Sequence, residues 1–145
     1  EKYLEKTNQA SCGESIGITT KDPAFINRGD VICLPDQVPD LLQEFKASIF
    51  WMAKKDFDKD NRIKIKCSTQ ETTCKIETIE KRINSSTLEI IEEDAKNLKN
   101  LEVAEVVIKI KKPIVVKNFS EVQELGRFVL EEDENICAGG IVTSF

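Results

Sequence analysis

Hydrophobic and polar residues alternate with a period of two along most of the chain after residue 44, a pattern typical of half-buried strands. It predicts six short strands, at 45–52, 62–67, 72–79, 102–110, 126–131 and 135–142. Polar turns separate these stretches, and the turn at 132–134 joins the last two into a hairpin. Two further segments, 92–98 and 120–125, look helical, and each amounts to a turn or two. Together these elements favour an all-β domain at 44–145, built as a small closed antiparallel barrel.

Residues 1–36 have a different organisation, because glycines and prolines interrupt them repeatedly. Short apolar runs at 16–18 and 31–34 lie between these interruptions and predict strands. Residues 37–43 form a linker, since Pro35 and Pro39 prevent strand pairing across this region. The sequence therefore predicts two structural units, 1–36 and 44–145.

Two apolar residues of the first predicted barrel strand lie on its outer side. Phe50 and Met52 alternate with Ile49 and Trp51, which belong to the inward-facing set. A single barrel has only one interior, and aromatic and flexible side chains are common at interfaces. We therefore expect Phe50 or Met52, or both, to contact another domain or subunit.

Composition and charge exclude several classes of function. The chain has 145 residues, with 21 Lys+Arg against 26 Asp+Glu, a net charge of −5 and no histidine. Without histidine there is no Ser-His-Asp or Cys-His nucleophile, no imidazole base and no histidine-containing zinc site. The acidic balance argues against a nucleic-acid-coating protein. Ile, Val and Thr are more than twice as numerous as Leu and Ala, which again favours a β-rich fold.

The cysteine pattern indicates reduced thiols and a cytoplasmic location. The five cysteines are widely spaced and form no C-x-x-C motif. No apolar run is long enough to span a membrane, and the first residues given do not contain the apolar region of a signal peptide. Cys67 and Cys74 lie symmetrically about a turn centred on residues 70–71, which would place them opposite each other. They form either a cross-strand disulfide or, more commonly in such hairpins, two small apolar residues on the inner face.

Three short motifs invite a functional interpretation, and each has a simpler alternative. Asp56-x-Asp58-x-Asp60 copies the start of a calcium-binding loop, but the glycine and the bidentate glutamate that such loops require are missing. In Arg28-Gly29-Asp30 the glycine supplies a turn before the strand at 31–34. A basic stretch (Lys109, Lys111, Lys112 and Lys117) forms either a phosphate-contacting patch or a lysine-protected strand edge.

The residues indicate no active site within this chain. No phosphate-binding P-loop occurs among the six glycines. We therefore predict no catalytic, cofactor-binding or metal-binding residue here, and no measurable binding of GTP or ATP.

Several segments resemble one family of proteins. Residues 10–18 and 26–32 resemble the end of the second domain of translation-factor-like GTPases. Residues 47–53, with their Trp-Met pair, resemble the first strand of the third domain in the GTPase subunit of sulfate adenylyltransferase. Other stretches similar to that third domain lie at 65–78, 79–88, 112–114, 126–130 and 138–142. Elongation factors that carry tRNA share the barrel and the Gly-Arg-Phe strand at 126–128, but lack the Trp-Met pair.

The resemblance implies an elongation-factor-type six-stranded barrel, the third domain, preceded by a partial barrel segment from the end of the second. It implies a parent enzyme that makes adenylyl sulfate and pyrophosphate from ATP and sulfate, coupled to GTP hydrolysis. GTP and Mg²⁺ would then be bound by a GTPase domain outside this chain. The implied partners are that GTPase domain and the small catalytic subunit.

Two other hypotheses remain open. The chain could correspond to the aminoacyl-tRNA-binding barrels of an elongation factor, or to a free-standing interaction barrel. In each case residues 1–36 are too few to close a barrel of their own. We expect them either to pack on the barrel at 44–142 or to pair with a second copy, with the second copy favoured.

Overall fold

The computed structural model describes residues 8–21, 25–58 and 62–145, and these contain seven strands and one short helix. In chain order they are β1 (Leu41–Trp51), β2 (Ile63–Cys67), β3 (Gln70–Asn84), β4 (Ile90–Ala95), β5 (Glu102–Val115), α1 (Gln123–Gly126), β6 (Arg127–Glu132) and β7 (Asn135–Ser144). No helix in these ranges has the length and apolarity needed to cross a membrane.

Six of the strands close into an antiparallel barrel. The sheet order is β2-β6-β7-β1-β5-β3-β4, and a further pairing between β2 and β3 closes the ring. Strand β4 lies outside this ring and extends the sheet from β3. The predicted all-β fold, a closed six-stranded barrel, is confirmed.

The barrel interior is filled by the inward-facing residues that the alternation predicts. Phe45, Ala47, Ile49 and Trp51 of β1 are each 1% exposed. The Phe45 ring meets Phe128 of β6 edge to face, with ring centroids 5.9 Å apart. Such filling leaves the interior closed to any ligand, as is usual for small barrels.

Of the two predicted helices, the one at 120–125 corresponds to α1, which is a single turn. The helix predicted at 92–98 is wrong, because β4 occupies Ile90–Ala95. The reason is tertiary pairing, since Lys81 lies opposite Glu93 and Ile79 opposite Ala95 in an antiparallel ladder with β3. Strand pairing of this kind overrides a weak local preference.

The described residues before β1 contain no strand, so the strands predicted at 16–18 and 31–34 are absent. Ile16, Ile18, Ile32 and Leu34 are all exposed. A strand forms when a neighbouring strand satisfies its backbone groups in a ladder, and within the described residues no strand ladder includes these runs. The division into units at 1–36 and 44–145, with a linker at 37–43, remains a prediction.

This N-terminal region nevertheless lies beside one end of the barrel. Gly29 faces the β2–β3 turn so closely that a methyl group there would lie 3.6 Å from the Thr69 carbonyl oxygen. Farther along, residues 31–34 and 36–39 line an open groove together with three residues in or near α1, namely Lys117, Val122 and Leu125.

Candidate docking surface

The Arg-Gly-Asp motif forms a tight turn, as the sequence predicts. The Asp30 backbone N–H donates to the Asn27 carbonyl at 3.1 Å, and the Asn27 N–H donates to Asp30 Oδ2 at 2.8 Å. Gly29 has φ +102°, a backbone conformation that side-chain-bearing residues rarely adopt. The glycine is therefore explained by the turn it makes.

The calcium-like aspartate series is only partly within the described residues. Asp56 and Asp58 are exposed, and between them Phe57 packs edge to face against Trp51, with ring centroids 5.5 Å apart. Asp60 lies outside the described residues. In the described ranges no group of three or more His, Cys, Asp or Glu side chains is arranged to hold a metal ion.

The predicted opposition of Cys67 and Cys74 is wrong. The hairpin turn lies at residues 68–69, with Ser68 at φ +54°, so Cys67 faces Gln70 and Cys74 faces Ile63. Both thiols are free and buried, which agrees with the alternative of small apolar residues on the inner face. Burial raises the pKa of Cys67 to about 11 and that of Cys74 to about 12. These thiols are therefore protonated and unreactive at neutral pH.

Lysines on the barrel surface lie beside carboxylates. Lys109, from the basic stretch, is 3.4 Å from Glu44 and 3.5 Å from Glu77. Similar ion pairs on other strands are Lys46–Glu80, Lys64–Glu71, Lys66–Glu131 and Lys81–Glu105. This pairing favours a solvated surface at Lys109. The ion pairs of the described residues include none of Lys111, Lys112 and Lys117, so for those lysines both interpretations of the basic stretch remain predictions.

A buried arginine fastens β4 and the following loop to the barrel. Arg82 of β3 is 6% exposed, and its Nε and Nη2 donate to the Glu102 carboxylate at 2.9 and 2.8 Å. Its Nη1 donates to Glu92 at 2.6 Å and to Asn97 at 3.0 Å. The hydrogen bonds from Arg82 lower the pKa of the Glu102 carboxyl below its ordinary value. Each of the three guanidinium nitrogens has a protein partner, which indicates a structural role.

A second buried polar contact joins the β2–β3 hairpin to the end of β5. The Gln70 side-chain Nε2 donates to the Val115 carbonyl, and the Val115 N–H donates back to Gln70 Oε1, both at 2.8 Å. Neither Gln70 nor Arg82 is among the residues that the sequence pattern predicts to be important. Counting every second residue from Cys74 and Ile76 places Arg82 on the inner face of β3. Two β-bulges in β3 interrupt that alternation before it reaches Arg82.

Phe50 belongs to an apolar row that crosses the outer face of the barrel. Opposite residues on adjacent strands share a face of the sheet. Phe50 pairs with Val103 on one side and Gly139 on the other, while Trp51, its neighbour in sequence, is buried. Following the pairings across the sheet gives the outer row, which consists of Ile90, Ile83, Val103, Phe50, Gly139 and Val129.

The structure places the two predicted contact residues side by side on this face. Phe50 is half-buried, and Met52 is 42% exposed. A methyl group at Gly139 would meet Met52 Cε at 3.8 Å, so Met52 borders the outer row. A shallow depression lies over its centre, lined by Phe50, Val103 and Ile141 among others. Contact with another domain or subunit at this face stays a prediction.

The chain is similar in sequence to a known domain family and to parts of longer proteins. The family model described as "GTP-eEF1A C-terminal domain-like" matches residues 44–143. Elongation factor 1-alpha of Ignicoccus hospitalis is 33% identical over 99% of this chain and 33% of its own length. Elongation factor 1-alpha of Methanopyrus kandleri is 32% identical, over 97% of this chain and 35% of its own length. Sulfate adenylyltransferase subunit 1 of Tolumonas auensis is 29% identical over 81% of this chain and 25% of its own length.

The chain thus spans about one third of the elongation-factor relatives and a quarter of this sulfate adenylyltransferase. Among solved structures, sup35 complexed with GDP shares the fold. Its TM-score is 0.69 at 13% identity, over 77% of this chain and 27% of the sup35 chain. With its closed barrel and the match over residues 44–143, the chain belongs to the GTP-eEF1A C-terminal domain-like family of translation-factor-like GTPases.

Proposed function

We propose that this chain is a non-catalytic barrel module of a translation-factor-like GTPase, which couples other domains or subunits of the parent protein. The observation that carries the proposal is the filled barrel interior of a chain that matches this family. Because large side chains occupy the interior, the module acts through its outer surface. The outer row around Phe50 is the part of that surface best suited to protein contact.

At a finer level, we propose the GTPase subunit of sulfate adenylyltransferase as the parent. Support comes from the Trp51-Met52 pair, the net charge of −5 and the pairing of surface lysines with glutamates. An acidic surface of this kind suits protein partners better than nucleic acid. The partners would be the GTPase domain of the parent chain and the small catalytic subunit. GTP and Mg²⁺ would be bound outside this chain.

A second candidate parent is an elongation factor of the 1-alpha type. The observation in its favour is that these relatives align over 97% to 99% of the chain at 31% to 33% identity. Under this alternative the barrel contributes to binding aminoacyl-tRNA. The two parents therefore predict different partners for the same surface.

Binding measurements with the purified chain separate these candidates. For the first parent, we expect saturable binding to the small sulfate adenylyltransferase subunit encoded in the same genome. Phe50→Ser should weaken it, whereas the matched control Ile136→Ser, an exposed apolar residue outside the outer row, should not. Saturable, salt-dependent binding of fluorescent aminoacyl-tRNA would instead support the second parent. Saturable GTP binding by the chain, measured by calorimetry, would contradict the proposed non-catalytic role.

A further inference from the structure

Strand β4 has an open edge. It is the last strand in the sheet order, and in the described part of the chain it pairs with β3 alone. Every residue from 90 to 94 is exposed, including Ile90 at 54% and Ile91 at 46%. An edge strand presents backbone N–H and C=O groups that can pair with another chain. Strand β4 therefore offers both main-chain partners and large β-branched side chains to a further strand.

The edge is held in place before any partner binds. Arg82 Nη1 donates to Glu92 at 2.6 Å from the barrel side. At the start of β4, the Asn84 N–H donates to the Glu89 carbonyl at 2.9 Å. A binding strand that is already ordered loses little conformational entropy when a partner pairs with it.

The negative charge of β4 determines which kind of partner strand can pair with it. Glu92, Glu93 and Asp94 lie in β4, and Glu89 comes directly before it. Glu92 is paired with Arg82, and Glu93 lies opposite Lys81 of β3. Antiparallel pairing of β4 with β4 of a second copy would still bring acidic side chains against one another, which is unfavourable. Edge strands are commonly protected by charged residues or proline, and the charged residues of β4 are all acidic. The acidic edge therefore favours a basic partner over self-pairing.

The apolar side chains of the edge continue onto the barrel. Ile90 lies opposite Ile83, and Ile83 lies opposite Val103, so Ile90 forms one end of the outer row. Beyond Glu93 the backbone changes, because Asp94 has φ +51°. The usable edge is thus residues 89–93, with apolar surface beside it. Within this edge the register against β3 shifts at Ile91, between the Ile83–Ile90 and Arg82–Glu92 pairs.

We propose that residues 89–93 of this edge bind an extended segment of a partner protein in which Lys or Arg alternates with β-branched residues. The segment forms main-chain hydrogen bonds with the open edge of β4 and so extends the sheet by one strand. Its basic side chains contact Glu89 and Glu93. This inference goes beyond the proposed function, because it concerns neither the parent GTPase domain nor the small subunit, and it holds for either parent.

A synthetic peptide tests the proposal on the intact chain. The probe is a fluorescent peptide of sequence Lys-Val-Lys-Ile-Lys-Val-Lys with blocked ends. We expect saturable binding that weakens as salt is raised, with slowed hydrogen exchange of the amides of residues 89–93. The same peptide N-methylated at alternate amides should bind at least about tenfold more weakly, because it cannot complete the ladder.

Charge-reversal variants supply the matched comparison. Glu93→Lys should weaken the unmodified peptide about tenfold, whereas Glu121→Lys, an exposed glutamate at the turn before α1, should leave it unchanged. Circular dichroism verifies that both variants are folded. Absence of binding, equal binding of the N-methylated peptide, equal binding by Glu93→Lys or protection at another site would each overturn the proposal. None of these outcomes bears on the small-subunit or tRNA measurements, so the proposed function is tested separately.

Discussion

At the residue scale, the polar side chains inside the fold are those that the structure can fully pair. Arg82 has carboxylate and amide partners, and Gln70 has both backbone groups of Val115. In the described part of the chain, no buried side-chain nitrogen or oxygen lacks a hydrogen-bond partner. Removing one member of such a cluster leaves the remaining buried groups without a hydrogen-bond partner, which destabilises the fold.

Arg82 should therefore be a sensitive position for stability. We expect Arg82→Met to lower the free energy of unfolding by about 2–4 kcal/mol, because Glu102 keeps its charge and the Lys99 N–H but loses its cationic partner. Urea denaturation followed by tryptophan fluorescence measures this directly, since Trp51 lies in the core. Arg127→Met, at an exposed arginine, is the matched control and should change stability by less than about 0.5 kcal/mol.

The loss of stability in Arg82→Met should depend on pH. Pairing with Arg82 lowers the pKa of Glu102 from its ordinary value of 4.5. The pair therefore stabilises the fold above about pH 4.5 and loses that contribution as pH falls through the lowered pKa. The stability difference between wild type and Arg82→Met should shrink over this acidic range. A difference that stays constant down to strongly acidic pH would show that Arg82 acts through packing and not through charge.

Cysteine reactivity offers a second measurement at this scale. Cys12 and Cys33 are exposed, whereas the other three thiols are buried, with the pKa of Cys137 raised to about 11. We expect a thiol reagent at neutral pH to label Cys12 and Cys33 rapidly in the folded chain, and all five cysteines in denaturant. Rapid labelling of Cys67 or Cys74 under native conditions would contradict the burial described for them.

At the element scale, alternation of apolar residues predicted the barrel strands well, because in a barrel one face of each strand is buried. It located β1, β2, β6 and β7 to within a few residues at each end. It failed at β4, whose residues 90–94 are exposed on both faces and therefore carry no alternation. Such a strand exists only through its pairing with β3, and single-chain patterns do not contain that information. For the same reason the edge of β4 could not be predicted as a surface.

Strand β7 provides a matched pair of glycines on opposite faces. A methyl group at Gly140 would lie 2.6 Å from Phe128 Cζ and 2.8 Å from Ile49 Cγ2, whereas one at Gly139 would meet only Met52 Cε at 3.8 Å. We expect Gly140→Ala to destabilise the fold by about 1–3 kcal/mol through overpacking. Gly139→Ala should stay within about 0.5 kcal/mol of wild type. Equal effects in thermal or urea denaturation would mean that the two residues do not face opposite sides.

At the scale of the whole molecule, the buried core that the structure describes lies in the barrel and not in the N-terminal region. The buried core cluster lies entirely between Phe45 and Val142. Before residue 36, six of the described large apolar residues are exposed, namely Ile16, Ile18, Phe25, Ile26, Ile32 and Leu34. The contacts at Gly29 and in the groove beside α1 leave most of this apolar surface uncovered. Exposed apolar surface of this extent favours association.

Deleting residues 1–36 should therefore separate folding from association. We expect the remaining chain to unfold cooperatively, because the core is intact. At concentrations low enough for the full chain to be monomeric, the two free energies of unfolding should agree within about 0.5 kcal/mol. At higher concentrations the full chain should form dimers in analytical ultracentrifugation, and the deletion should abolish them. As a matched control, the full-length double variant Ile32→Ser and Leu34→Ser should weaken the dimer while leaving unfolding of the monomer unchanged. A full chain that stays monomeric at high micromolar concentration would contradict self-association. A deletion variant that fails to unfold cooperatively would show that residues 1–36 belong to the same folding unit as the barrel.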